Sequence, residues 1–177
     1  MTAADRCDGT SPQEPGETSV EHAAGHGPVE LTEPELMAWG QRIGAGARTP
    51  LVLALRGELG AGKSVLARAV ARGAGVVSPM PSPTFNLLFS YAASDGVSVH
   101  HLDLYRLGRP ADVWELGWAE LGRAREIVLV EWPERAESVL PEDRWDVYLE
   151  HVAERPHVRC VRLVRRGRPP DIPLPRS

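Results

Sequence analysis

The chain has 177 residues, of which 42% are apolar and 25% are charged, as in an ordinary globular domain. Its longest apolar run, residues 51–55, is far shorter than the roughly 20 residues that cross a bilayer, so we expect no contact with a membrane. A net charge of -4 argues against a protein that grips nucleic acid with its overall charge. With no basic and apolar signal at the N-terminus and two cysteines that make no disulfide framework, the predicted location is the cytoplasm.

Charge and periodicity place the first elements. Residues 1–28 carry five carboxylates against one arginine with few large apolar side chains, which predicts a disordered acidic head. Residues 32–35 have the form of a capping box with proline in the first turn, and apolar residues then recur at helical spacing to Ala47. Residues 51–55 predict a strand buried on both faces, followed by a helix over residues 64–74.

Further along the chain, short apolar segments predict five more strands, with helical segments near residues 111–123. The predicted strands are residues 85–91, 97–102, 127–130, 145–152 and 158–164. Residues 165–177 are rich in arginine and proline, which predicts a short loose tail with solvated arginines, or alternatively a contact to tRNA or a partner. We therefore expect one α/β domain over residues 29–164, with a mostly parallel central sheet flanked by helices.

The strongest motif lies between the first predicted strand of this domain and the helix that follows it. Residues 57–64, Gly-Glu-Leu-Gly-Ala-Gly-Lys-Ser, match the phosphate-binding loop G-x-x-x-x-G-K-[ST]. Glycines allow backbone N–H groups to point at phosphate oxygens, and the helix end adds its positive dipole. Lys63 would reach the β and γ phosphates, and the Ser64 hydroxyl would bind Mg²⁺.

Lys63 is the only lysine among the 20 basic residues. A compact ammonium on a flexible stem suits a phosphate cradle better than the planar fork of arginine. The same count removes the lysine-containing guanine-reading motif, so ATP is favoured over GTP.

Two acids follow predicted strands and are candidates for the metal and the water. Glu131 ends the run 127–130 and is the better candidate to support the metal, with a solvated carboxylate as the alternative. Asp103 follows residues 97–102 and could orient the attacking water, bind metal through water, or cap a turn.

Residues 82–85, Ser-Pro-Thr-Phe, form a stiff segment in which Thr84 could sense the γ-phosphate, as switch segments do. A plain connection into a strand is equally compatible with the spacing. His100 and His101 would face opposite sides of one strand, so a metal pair is not expected.

Five segments in this order resemble the bacterial TsaE (YjeE) family. They are the loop 57–64, the Ser-Pro-Thr-Phe segment 82–85, His-Leu-Asp-Leu-Tyr-Arg 101–106, Trp-Glu-Leu-Gly 114–117 and Val-Glu-Trp-Pro 130–133. The resemblance covers about residues 30–150. It implies a P-loop NTPase-like fold and a small ATPase that acts with the TsaD and TsaB proteins in placing threonylcarbamoyl on adenosine 37 of tRNA, with tRNA contacted only indirectly.

The resemblance also implies roles for particular residues. It assigns metal binding to Ser64 and Glu131 and a functional requirement to Thr84 and Asp103, with Lys63 and Glu131 serving catalysis. Ser64 stands where the family more often has threonine, a change that keeps the hydroxyl. The residues implied in nucleotide binding are Gly57, Leu59, Gly60, Ala61, Gly62, Lys63, Ser64, Trp132 and Glu33. Of these, Glu33 is implied to lie near the nucleotide base, together with Thr32.

Two other functions are compatible with the loop. A small-molecule kinase would need an acceptor pocket and an arginine-bearing lid, and only Arg106 and Arg109 are placed for one. The second alternative is a binding module controlled by ATP, in which hydrolysis only resets the module. In that case turnover of the complex would continue when hydrolysis is abolished and ATP binding is kept.

Overall fold

The computed structural model describes residues 25–81, 87–123 and 125–176. Within these ranges there are two α-helices, α1 (Glu33–Ala45) and α2 (Lys63–Gly73), and seven strands in one sheet. The strands are β1 (Gly25–Thr32), β2 (Leu51–Arg56), β3 (Leu88–Ala92), β4 (Ser98–Asp103), β5 (Glu126–Glu131), β6 (Arg144–Val152) and β7 (Arg155–Arg166). None of the described helices is long and apolar enough to span a bilayer.

The sheet is mixed rather than mostly parallel. Its order is β1-β7-β6-β2-β5-β4-β3. The pairs β6–β2, β2–β5 and β5–β4 are parallel, whereas β1–β7, β7–β6 and β4–β3 are antiparallel. The prediction of a mostly parallel sheet is therefore wrong, because only residues 153 and 154 separate β6 from β7 and a parallel pair needs a crossover of about a dozen residues or more.

Two cores lie on the two faces of the sheet. Alternate residues of β2, including Leu53, pack with α1 and α2 on one face. Val52 and its neighbours on β5 pack on the other face with short 3₁₀ segments, Pro110–Leu116, Trp118–Glu120 and Pro133–Val139. The α-helices therefore cover one face only, and the helical segments expected near residues 111–123 are 3₁₀ turns separated by Gly117 at φ 75°.

The boundaries of the predicted domain also shift. Residues 25–28, predicted to belong to the head, are part of β1, and the rest of the head lies outside the described residues. The chain after β7 packs back on the molecule: Trp39 Nε1 donates to Pro173 O at 2.7 Å and Trp145 Nε1 donates to Pro170 O at 2.9 Å. The prediction of a loose tail is wrong for residues 165–176, because buried indole N–H groups need acceptors and Ile172 is itself buried.

Candidate functional site

The loop between β2 and α2 depends on glycine. Gly57, Gly60 and Gly62 have φ angles of 142°, 78° and 100°, which side chains rarely permit. A Cβ on Gly57 would lie 2.2 Å from the backbone oxygen of Leu149. Gly57 therefore allows the loop to lie close against β6, and the three glycines allow the turns that lead into the N-terminus of α2.

Lys63 begins α2 and turns back into the loop. Its Nζ donates to Gly57 O at 2.5 Å and to Glu58 O at 2.8 Å, and it lies 3.9 Å from the centroid of the Trp132 ring. The side chain is only 4% exposed. Burial lowers the pKa of Lys63, although the negative charge of Glu131 opposes that shift. The result is a poorly hydrated ammonium with neutral contacts, for which an anionic oxygen would be a stronger ligand.

Glu131 connects α2 to the sheet. Ser64 Oγ donates to Glu131 Oε2 at 2.9 Å, and His101 Nε2 lies 2.7 Å from Glu131 Oε1. Both Glu131 and His101 are buried. His100, the preceding residue of β4, contacts Ser90 instead.

Asp103 lies beside Glu131 because β4 and β5 are parallel and in register at these two residues. The backbone N–H of Tyr105 donates to Asp103 Oδ1 at 3.0 Å. Burial raises the pKa of Asp103, and the neighbouring Glu131 adds to the rise. Two carboxylates thus occur side by side at the carboxyl ends of adjacent strands, where parallel sheets commonly place ligands.

Trp132 follows β5 in a left-handed conformation, φ 57° and ψ 48°. This conformation costs a bulky residue about 1–3 kcal/mol. It places the indole over Lys63 and against Tyr105, with ring centroids 4.9 Å apart.

These side chains converge on one cavity of about 250 Å³. The backbone oxygen of Gly57 accepts a hydrogen bond from Lys63, but Gly57 does not itself line the cavity. The lining residues are Leu59, Gly60, Ala61, Gly62, Lys63, Ser64, Val65, Asp103, Tyr105, Glu131 and Trp132. The cavity is therefore lined by most of the residues singled out in the sequence for this site. The exceptions are Gly57, Glu33 and Thr84, the last of which lies outside the described residues.

Glu33 and Thr32 line a second cavity of about 340 Å³ that shares Gly60 and Gly62 with the first. Its other wall comes from β7 and includes Arg159. The two cavities are therefore adjacent, one next to the start of α1 and the other next to the end of β5.

Sequence reasoning missed His101, Tyr105 and Arg159 as parts of this region. The period of two along β4 could have placed His101 on the same face as Asp103. Tyr105 follows shortly after the same strand. No local signal in the sequence indicates Arg159, which is 99 residues from its contact Gly60.

Comparison with known proteins places the chain in a family. Residues 31–159 match the family model "Threonylcarbamoyl adenosine biosynthesis protein TsaE". A tRNA threonylcarbamoyladenosine biosynthesis protein TsaE from Treponema pallidum is 33% identical over 71% of this chain and 92% of its own length. The Haemophilus influenzae protein of the same name is 30% identical over 67% and 74%.

The crystal structure of Bacillus subtilis YdiB has a similar fold. Its TM-score is 0.62 at 22% identity, over 84% of this chain and 90% of that one. With the family match extending over most of the chain, this protein belongs to the TsaE family and has its role in threonylcarbamoyladenosine biosynthesis.

Proposed function

We propose that this protein binds and hydrolyses ATP with Mg²⁺, and that hydrolysis supports threonylcarbamoyl transfer to adenosine 37 of tRNA by a complex with TsaD and TsaB. Membership of the TsaE family supports the role in this pathway. The observation that best supports ATP hydrolysis is the convergence of four side chains on one cavity at the N-terminus of α2. They are Lys63, Ser64, Asp103 and Glu131.

The loop and Lys63 fit a chain of phosphates. The backbone N–H groups at the start of α2 and the dipole of that helix favour negative charge. Lys63 now contacts two carbonyl oxygens, and charged phosphate oxygens would replace or join them with a larger gain. This geometry supports a P-loop NTPase-like mode of binding.

Ser64 and Glu131 fit a magnesium ion. A hydroxyl and a carboxylate oxygen meet at 2.9 Å, and His101 fixes the other carboxylate oxygen. The described residues contain no group of three His, Cys, Asp or Glu side chains that could hold a metal, so phosphate oxygens and water would complete the coordination. A bound Mg²⁺ would neutralise charge on the phosphates.

Asp103 is the candidate to orient and deprotonate the attacking water. Its carboxylate lines the cavity, and its raised pKa makes it a stronger base than an ordinary aspartate. Water would form a bond to the γ-phosphorus as the bond to the bridging oxygen breaks, and Asp103 would accept the proton. A contribution of Thr84 stays a prediction, and the second cavity, with Thr32 and Glu33, would receive the nucleoside.

Exposed side chains at the rim of the cavity are evidence for binding of a partner protein. Leu59 is 76% exposed at the tip of the loop and Tyr105 is 46% exposed, although both line the cavity. Exposed apolar side chains around a site are typical of a surface that another protein covers. A site completed in this way would be slow when the protein is alone.

Steady-state ATP hydrolysis tests the proposal, with the purified protein alone and then with TsaB, TsaD and tRNA. We expect slow hydrolysis alone and a marked increase with the partners, with a Lys63→Ala preparation as the control for contaminating ATPase. Absence of both ATP binding and hydrolysis in every mixture would overturn the ATPase, and a rate unchanged by the partners would overturn their role.

A Glu131→Gln variant separates the ATPase from the ATP-controlled binding module. The proposal predicts that this variant still binds ATP but supports no repeated threonylcarbamoyl transfer. Continued turnover of the complex without hydrolysis would instead identify a nucleotide-dependent switch.

A further inference from the structure

The end of the β6–β7 hairpin contacts the outside of the loop formed by residues 57–62. Arg159 Nη2 donates to Gly60 O at 3.1 Å, and His151 Nε2 lies 3.3 Å from Leu59 O. His151 and Arg159 are direct cross-strand partners. The tip of the loop is therefore held by two neighbouring side chains that lie 92 and 99 residues further along the chain.

Arg159 is itself fixed in place. Its Nη1 donates to Pro156 O at 2.6 Å and to Val158 O at 2.8 Å, and the side chain is half-buried. A guanidinium is a planar fork, so fixing one nitrogen sets the direction of the other. Nη2 is thus directed at Gly60 by contacts within β7 and needs little further ordering to make its hydrogen bond.

Gly60 is a position where such a restraint matters. Its φ of 78° lies in the left-handed region, and a Cβ there would meet only His151 at 3.9 Å. The local packing therefore restrains Gly60 little. A loop whose N–H groups must converge on a phosphate binds more tightly when its conformation exists before the ligand arrives.

We propose that Arg159 is a positioning residue of the nucleotide site that preorganises the phosphate-binding loop through Gly60 O. The inference rests on the proposed function for the identity of the ligand. Arg159 acts on phosphate affinity rather than on the hydrolysis step, because its hydrogen bond is to the loop backbone. Its charge also lies close to the loop, in the wall of the second cavity, where it favours anionic ligands.

Arg159→Met and Arg159→Lys test the inference, with Arg155→Met as the matched control. Arg155 is an arginine on the same strand that pairs with Glu30 and lines neither cavity. Binding of ATP and of tripolyphosphate is measured calorimetrically for each variant, and kcat and KM are measured with the partners present. We expect Arg159→Met to weaken both ligands about tenfold, the loss of one charge-assisted hydrogen bond, with kcat within about twofold.

The affinities of Arg159→Lys for both ligands should lie between those of Arg159→Met and those of the original protein. An ammonium can reach Gly60 O but lacks the fixed fork of a guanidinium. The control should bind both ligands as the original protein does. Weaker binding of ATP but not of tripolyphosphate would mean that Arg159 touches the nucleoside, which overturns a role through the loop. A lower kcat at unchanged KM would overturn it as well.

Amide hydrogen exchange of residues 57–62 without any ligand separates this inference from the proposed function. Faster exchange in both Arg159 variants than in Arg155→Met is expected, and equal exchange would overturn the positioning role even if ATP binds. If the original protein binds neither ATP nor tripolyphosphate, the proposed function fails while the exchange result still decides the role of Arg159. If Arg159→Met does not fold, the same comparisons are made with Arg159→Lys.

Discussion

Single residues in this site are held in states that cost free energy. Lys63 is a buried ammonium, Asp103 is a half-buried carboxylate beside a second one, and Trp132 has a left-handed backbone. Such costs persist where surrounding structure enforces them, and they are common at functional sites. Substitution of these residues should therefore separate stability from activity.

Lys63→Ala should weaken ATP binding by at least about tenfold, since charge-assisted hydrogen bonds are lost and the chain has no other lysine. Isothermal titration with ATP measures the change. Arg68→Ala, on the same helix but outside both cavities, is the control and should bind normally. Unchanged affinity in Lys63→Ala would contradict the assignment of the loop.

Asp103→Asn should raise the midpoint of urea unfolding at pH 7 and reduce hydrolysis by about a hundredfold or more. The folded pKa of Asp103 is raised above its ordinary 3.8 by burial, so the ionised form destabilises the fold at pH above that raised value. An amide removes this cost and still accepts from Tyr105. The gain in stability should shrink as the pH falls through the raised pKa, and a gain that is independent of pH would contradict the charge argument.

At the scale of elements, local signals account for how α1 and α2 begin. The N–H of Thr32 donates to the Glu35 carboxylate at 2.7 Å, as the capping box predicted, and the Thr32 hydroxyl donates to the same carboxylate oxygen at 2.6 Å. The loop of residues 57–62 leads into α2 through Gly62 in a left-handed conformation. Each helix start is thus specified by residues within a few positions of it.

Glu35→Gln should lower the midpoint of urea unfolding at pH 7. Hydrogen bonds from Thr32 lower the pKa of Glu35 below its ordinary 4.5, so its stabilising effect is complete above that value and is lost as the pH falls through the lowered pKa. The difference between Glu35→Gln and the original protein should therefore narrow at acid pH. Glu33→Gln, in the same turn, serves as the control, and a difference that stays constant with pH would exclude the ionised cap.

At the scale of the whole molecule, the segment after β7 completes the core. It supplies acceptors to Trp39 and Trp145 and buries Ile172 against the α1 and α2 side of the sheet. The segment thus joins α1 to the strand β6 that borders the phosphate-binding loop.

Ile172→Ala should destabilise the protein by about 2 kcal/mol, at the lower end of the range for large core residues. Leu174→Ala, two residues further on and 43% exposed, is the matched control and should change stability by less than about 0.5 kcal/mol. Urea unfolding followed by tryptophan fluorescence measures both. Equal effects would mean that Ile172 does not contribute to the core.

Short-range patterns in the sequence were enough to predict part of this fold and of its site. The loop of residues 57–64, both α-helices and the strands that end in Asp103 and Glu131 were predicted from periodicity and spacing, because their physical causes lie within a few residues. Asp103 and Glu131 were named as candidates because each follows a predicted strand, and in the structure they lie side by side and line one cavity.

Short-range patterns did not specify the mixed sheet, the packing of the C-terminal segment or the partners of individual side chains. His101 meets Glu131 through the register of β4 with β5, and Arg159 reaches Gly60 because β7 folds back beside β6. Such contacts depend on strand order and on connections between distant segments. The free energy of burying a surface is set by the neighbour that covers it, which local sequence does not specify.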